Sequence, residues 1–173
     1  MALVVETGTG LANAESYASV TEFKTRSDNF GFVYSTFTDT QIEQYLRKAT
    51  RYMVQEYRTQ WKGYRGVSTQ ALDWPRYGVY TDPVGYGGQN YVASDVVPDD
   101  VKNACIDLAQ KAPTVPDFFP DGTQQVTEKT VGPITLKYEQ GSIQRKQFDA
   151  ITATLSVYLN GSGRVNVQMV RQG

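Results

Sequence analysis

The stretch Tyr57–Val79, YRTQWKGYRGVSTQALDWPRYGV, sets the strongest limit on how this chain can fold. A helical pattern runs into it and stops, because the three-and-four spacing of apolar residues ends at Tyr57. Both tryptophans of the protein fall inside it, with Gly63, Gly66 and Gly78, around a Trp74-Pro75-Arg76 turn. It holds no histidine, no cysteine and no acid pair. Large side chains without reactive ones imply a folded junction, not an active site. Its structural residues are expected to be Trp61, Gly63, Trp74, Pro75 and Arg76.

Upstream, the spacing predicts a long helix from about Asp39 to Arg58. Thr38 and Gln41 fit a capping box, and Ile42, Leu46, Ala49, Met53 and Tyr57 form one apolar stripe. A first helix is expected over Glu15–Asn29, ended by Gly31, with Phe30, Phe32, Tyr34 and Phe37 covering a core edge. Downstream, Tyr80–Val96 is a Gly/Tyr/Asn loop longer than most connections in compact domains. Pro98, Asp99 and Asp100 open a helix whose narrow face is Val101, Ala104, Cys105, Leu108 and Ala112. Alternation over Val126–Glu139 predicts a hairpin about Gly132-Pro133, with Ile134, Leu136 and Tyr138 on one face. Gln147–Leu159 reads as a final helix. These elements predict a mainly α protein: a small helical bundle with one β-hairpin and extended N- and C-terminal arms. The expected division is a flexible arm at 1–14, a helical domain at 15–160 and a C-terminal arm at 161–173.

A chain of 173 residues buries enough surface to fold without a disulfide or metal. The lone Cys105 cannot pair internally, and its apolar helical face marks an inert buried thiol. The complete lack of histidine removes the commonest general base, the commonest zinc ligand and every Ser-His-Asp or Cys-His arrangement. Asp73, Asp82, Asp95, Asp99 and Asp100 are the acids available for carboxylate chemistry. Asp99 and Asp100 are accounted for by the helix start, and Asp73 by local backbone or a nearby arginine. The expectation is no enzyme, no cofactor and no metal. No signal peptide or membrane span is expected either, which makes the cytoplasm the default site of synthesis.

Arg58, Lys62, Arg65 and Arg76 interleave with Tyr57, Trp61, Tyr64, Trp74 and Tyr77. Cations for a backbone and rings for bases are what single-strand binding needs. The plainer reading puts the rings in the core with the arginines against them. A formal net charge of −1 favours that plainer reading. At the C-terminus, Arg164-Val165-Asn166-Val167-Gln168-Met169-Val170-Arg171 alternates like a strand behind a Gly-Ser-Gly hinge. Such a segment can add to a sheet edge on another subunit, remain disordered, or pair with the hairpin.

Four blocks resemble one family. The helix followed by W-K-G and A-L-x-W-P-R-x-G-V, Glu15-Ser16-Tyr17-Ala18-Ser19-Val20-Thr21-Glu22, Val97-Pro98-Asp99-Asp100-Val101-Lys102-Asn103-Ala104, and Glu128-Lys129-Thr130-Val131-Gly132-Pro133-Ile134 are similar to tailed-phage head–tail adaptor (connector) proteins. Some of those carry the label "DnaT-like". The blocks span Glu15 to Tyr158 in the family's order, with Thr130 as an extra residue. The resemblance implies a structural virion protein in the neck: a homo-oligomeric ring, of twelve subunits in that family, beneath the portal protein. Such a ring extends the DNA channel, lets packaged DNA pass without specific binding, and docks the next neck or tail protein. Within such a particle the arm residues Arg164, Val165, Val167, Met169 and Arg171 are expected to dock on the portal or a neighbouring subunit, and the loop residues Tyr80, Tyr86 and Tyr91 to contact another neck protein, although both regions fit the family less well. The alternative, suggested by the "DnaT-like" label, is a single-stranded DNA-binding replication accessory.

Overall fold

The computed structural model describes residues 2–81, 90–115, 118, 128–131, 134–137 and 148–160, the hairpin strands by their backbone only. The fold is mainly α with a β-hairpin, as the periodicity predicts. In chain order the elements are α1 (Val20–Phe30), α2 (Asp39–Tyr57), β1 (Tyr64–Arg65), β2 (Arg76–Tyr77), α3 (Asp99–Lys111), β3 (Glu128–Val131), β4 (Ile134–Lys137) and α4 (Asp149–Leu155). A short 3₁₀ turn, Ser156–Tyr158, continues α4. Helix α3 packs on α1, α2 and α4, and so forms the centre of the bundle.

The helix boundaries follow capping chemistry. Helix α1 begins at Val20, not at Glu15, because Ser19 caps it: Ser19 Oγ accepts from the Glu22 N–H, and the Glu22 carboxylate accepts from the Ser19 N–H. Ser16 is diverted from helix by its own hydroxyl, which donates to the Ala18 carbonyl and accepts from the Ala18 N–H. Gly31 ends α1 at φ 70°, the left-handed turn that a glycine adopts without strain. Helix α2 has the expected Thr38–Gln41 box and buries Ile42, Leu46, Ala49, Thr50, Tyr52, Met53 and Tyr57. Phe32 and Tyr34 pack edge-on against Phe23, but Phe30 turns outward, with the Arg26 guanidinium 4.5 Å from its ring centre. The final helix is shorter than the predicted Gln147–Leu159. It tightens into 3₁₀ at Ser156, and Leu159 bridges back to Trp61.

Cys105 lies on the buried face of α3, its Sγ 3.3 Å from Thr50 Oγ1, and burial pushes the thiol pKa up. The hairpin pairs Glu128 with Lys137 and Val131 with Ile134. Tyr138 lies outside the described residues.

Where the sequence suggested an arm, residues 3–16 fold back on the body. The Glu6 N–H donates to Ser16 O at 2.9 Å, and Val4 and Val5 run alongside Glu15 and Ser16. The Glu6 carboxylate, 1% exposed, accepts the backbone N–H groups of Gly8, Gly10 and Leu11 at 2.8–2.9 Å. A buried acceptor serving three donors is costly to lose. Glu6→Gln is expected to destabilise the protein by about 1–3 kcal/mol, since its amide turns one acceptor into a donor facing N–H groups. Urea unfolding reads this as a lower midpoint at unchanged slope.

Candidate nucleic-acid interface

At the end of α2 the chain leaves the helix and becomes a clasp of backbone contacts. The Gln60 N–H donates to Tyr57 O, and the Lys62 N–H donates to Tyr158 O at 2.9 Å. Two mirrored doublets, Tyr64-Arg65 and Arg76-Tyr77, then pair antiparallel. Mirror order in an antiparallel pair sets like against like: Tyr64 opposite Tyr77 and Arg65 opposite Arg76. This second two-stranded sheet was not expected, since two residues are too few to show a period.

Gly63 makes the pairing possible. Its φ is 66°, and a Cβ there would stand 2.0 Å from the Tyr77 carbonyl oxygen. Only a residue without a side chain lets the two backbones approach this closely. Arg76, 6% exposed, ties the junction from within: Nε donates to Lys62 O at 2.7 Å, Nη2 to Gly63 O at 2.7 Å and Nη1 to Asp73 O at 3.1 Å. Burial lowers its pKa, and the neighbouring Asp73 charge opposes that shift.

The interleaved cations and rings divide into an inner and an outer set. Tyr57, Trp61 and Trp74 are buried and meet edge-on, Trp61 to Trp74 at 5.7 Å and Tyr57 to Trp61 at 5.8 Å. Trp74 also meets Tyr158, and its peptide bond to Pro75 is cis. Tyr64 and Tyr77 point outward, 79% and 54% exposed. The core reading therefore holds for Tyr57, Trp61, Trp74 and Arg76, while Tyr64 and Tyr77 lie outside the core.

The outer set continues beyond the doublets. Tyr80 and Tyr91 form an isolated antiparallel bridge, and both are exposed. Lys62 joins them to the doublets: Nζ stands 4.3 Å from the Tyr80 ring centre and donates to the carbonyls of Tyr80 and Val157. An ammonium over an aromatic face is attracted by the ring quadrupole. Four tyrosines are thus exposed in two backbone-paired sets, Tyr64 with Tyr77 and Tyr80 with Tyr91, with Lys62 at Tyr80 and Arg65 next to Tyr64 in the chain. Arg65 Nη2 donates to Gln70 O.

Charge on this segment differs from that of the whole chain. Between Tyr57 and Thr81 stand Arg58, Lys62, Arg65 and Arg76 against a single acid, Asp73. That acid is 1% exposed, so it adds no carboxylate to the surface. Its Oδ1 accepts from Arg58 Nε at 3.1 Å, and its own N–H donates to the Tyr17 hydroxyl at 3.0 Å. Burial raises the Asp73 pKa, and Arg58, Arg76 and Arg65 pull it back. The same burial raises the Tyr17 phenol far above its ordinary value.

Of the residues assigned to partner binding, Tyr80 and Tyr91 belong to this surface. Tyr86, Arg164, Val165, Val167, Met169 and Arg171 lie outside the described residues. The sequence reading missed the Tyr64–Tyr77 pair and the bridging by Lys62. The mirrored Tyr-Arg and Arg-Tyr doublets flanking a turn were the available signal for the first. Nothing local announces the second, because Lys62 and Val157 are far apart in the chain. Among the described residues no three His, Cys, Asp or Glu side chains gather where a metal could bind, and no helix is long and apolar enough to cross a membrane.

Comparison with family models matches residues 1–172 to a family described as "Putative DnaT-like ssDNA binding protein". No curated protein and no solved structure matches the chain. The family match overturns the expected head–tail adaptor, with its neck location, ring of twelve, portal and neck or tail partners, and DNA passing without specific binding. The blocks behind that resemblance explain why it misled. Ser19–Glu22 is a helix cap, the W-K-G and A-L-x-W-P-R-x-G-V pieces supply Trp61, Leu72, Trp74 and Val79 to the core, and Pro98-Asp99-Asp100 opens α3. Such residues specify a fold and carry no information about what the fold docks against.

Proposed function

The chain belongs to the DnaT-like single-stranded DNA binding family, and on that premise we propose that it binds single-stranded DNA as an accessory to replication, making and breaking no covalent bond. The observation that carries this reading is the two exposed tyrosine pairs, Tyr64 with Tyr77 and Tyr80 with Tyr91, on a segment whose cations meet no exposed acid between Tyr57 and Thr81. Single strands offer flat base faces, which duplexes hide. Rings on a rigid platform supply stacking that tolerates any base, and neighbouring Lys and Arg hold the phosphates. A net charge of −1 does not oppose this, because a phosphate backbone responds to the local field within roughly 10 Å at ordinary salt.

The test is a titration of a fluorescent oligothymidylate against the protein over a range of salt. Binding is expected, with a duplex of equal length bound more weakly. If Arg58, Lys62 and Arg65 each meet a phosphate, the logarithm of affinity falls against the logarithm of salt with a slope of about −2. Equal affinity for duplex and single strand, or a slope near zero, would overturn the reading.

A further inference from the structure

We propose that the Arg58 guanidinium is a phosphate contact of the single-strand site and that Asp73 controls its availability, so that binding takes up a proton and strengthens as pH falls. The inference rests on the single-strand reading above and assigns that site an anchor and a regulator.

Arg58 closes α2 at its C-terminal end, half exposed, and its one bond among the described residues runs from Nε to Asp73 Oδ1. Its Nη groups have no acceptor there. A guanidinium held by one edge leaves the other free for the forked contact that phosphate oxygens favour. Asp73, by contrast, is 1% exposed, and its Oδ2 has no hydrogen-bond partner among the described residues. The groups that face it are Arg58 from the end of α2, Arg76 and Arg65 from the paired doublets, and the Tyr17 hydroxyl from the segment before α1.

Arg76 cannot take over for a phosphate, because its donors are spent on three carbonyls inside the junction. Arg58 is the mobile partner. When a phosphate draws it outward, Asp73 stays behind in the interior with less compensating charge, and a buried carboxylate in that position gains a proton more readily. Proton uptake and DNA binding therefore favour each other.

The direction follows from linkage. Bound protein holds the Asp73 proton more tightly than free protein does. Affinity thus rises as pH drops through the interval between the two pKa values, and is level on either side of it. Burial already raises the Asp73 pKa from its ordinary value in the free protein. The chain has no histidine, so no imidazole titration overlies this one.

The experiment measures anisotropy of a labelled oligothymidylate with the full chain from about pH 8 to about pH 5 at fixed ionic strength, for wild type, Asp73→Asn and Arg58→Gln. Wild type is expected to tighten by roughly several-fold as pH falls, in the direction set by proton uptake on binding. Asp73→Asn should bind at the high pH about as tightly as wild type at the low one, with a flat profile. Arg58→Gln should be weak and flat. Thermal unfolding of each variant checks the fold; should Asp73→Asn not fold, the flat profile of Arg58→Gln still decides. A flat wild-type profile, or a slope that survives in either variant, overturns the inference and leaves the single-strand reading standing. Absence of oligonucleotide binding by wild type at every pH overturns that reading itself.

Discussion

Alanine at both Tyr64 and Tyr77 is expected to weaken oligothymidylate binding by roughly tenfold or more without unfolding the protein. Stacking of one base on one ring is worth about 1–3 kcal/mol by alanine substitution. The two residues are opposed across an antiparallel pair, and both side chains are exposed. Removing exposed side chains of this kind changes stability by about 0.5 kcal/mol or less each. Phenylalanine at both positions keeps the flat faces and should keep most of the affinity, which separates stacking from hydroxyl contacts. An alanine pair that binds like wild type would place the single-strand site elsewhere on the molecule.

Trp74→Ala carries the largest expected loss of stability. The ring is fully buried and meets Trp61 and Tyr158 edge-on at 5.7 Å each. Deleting a buried tryptophan costs about 3–5 kcal/mol through lost transfer energy and the cavity left behind. That is a large share of the roughly 5–15 kcal/mol that holds a domain together. In a protein of this size each kcal/mol shifts the melting temperature by about 2–4 °C, so calorimetry should show a fall on the order of 10 °C. The indole Nε1 has no partner among the described residues, so its removal strands no acceptor there. Trp74→Phe, which keeps an aromatic body, should lose distinctly less. If alanine were as stable as wild type, Trp74 could not be a centre of the core.

These two substitutions test opposite halves of one segment, and that segment shows where sequence reading succeeds and where it stops. Helix α2 was legible because its stripe is long and its Thr38–Gln41 cap is local. Cys105 was legible because its neighbours at helical spacing are apolar. The start of α1 was misplaced because apolar spacing continues through Tyr17, while Ser16 and Ser19 turn the backbone aside. Glu6 could not be recognised as a buried cap, since the donors it serves lie in a Gly-rich run that reads as loose chain. The tyrosine surface was half visible. Interleaved rings and cations were evident, but which rings face inward depends on Arg76 and Gly63 locking the doublets together, a tertiary event. Net charge was the misleading quantity, because it averages a segment rich in cations with the acids of the rest of the chain.

Arg76 leaves the protein an unequal freedom to change. One planar head holds three carbonyls from two stretches of chain. A lysine there brings the same charge with a single ammonium, which cannot span those carbonyls in the same geometry. The substitution that looks mildest on paper would thus open the clasp, while far more drastic exchanges at the exposed Tyr64 and Tyr77 need disturb only the outside. Ligand strength can drift at those two positions over a frame that stays put.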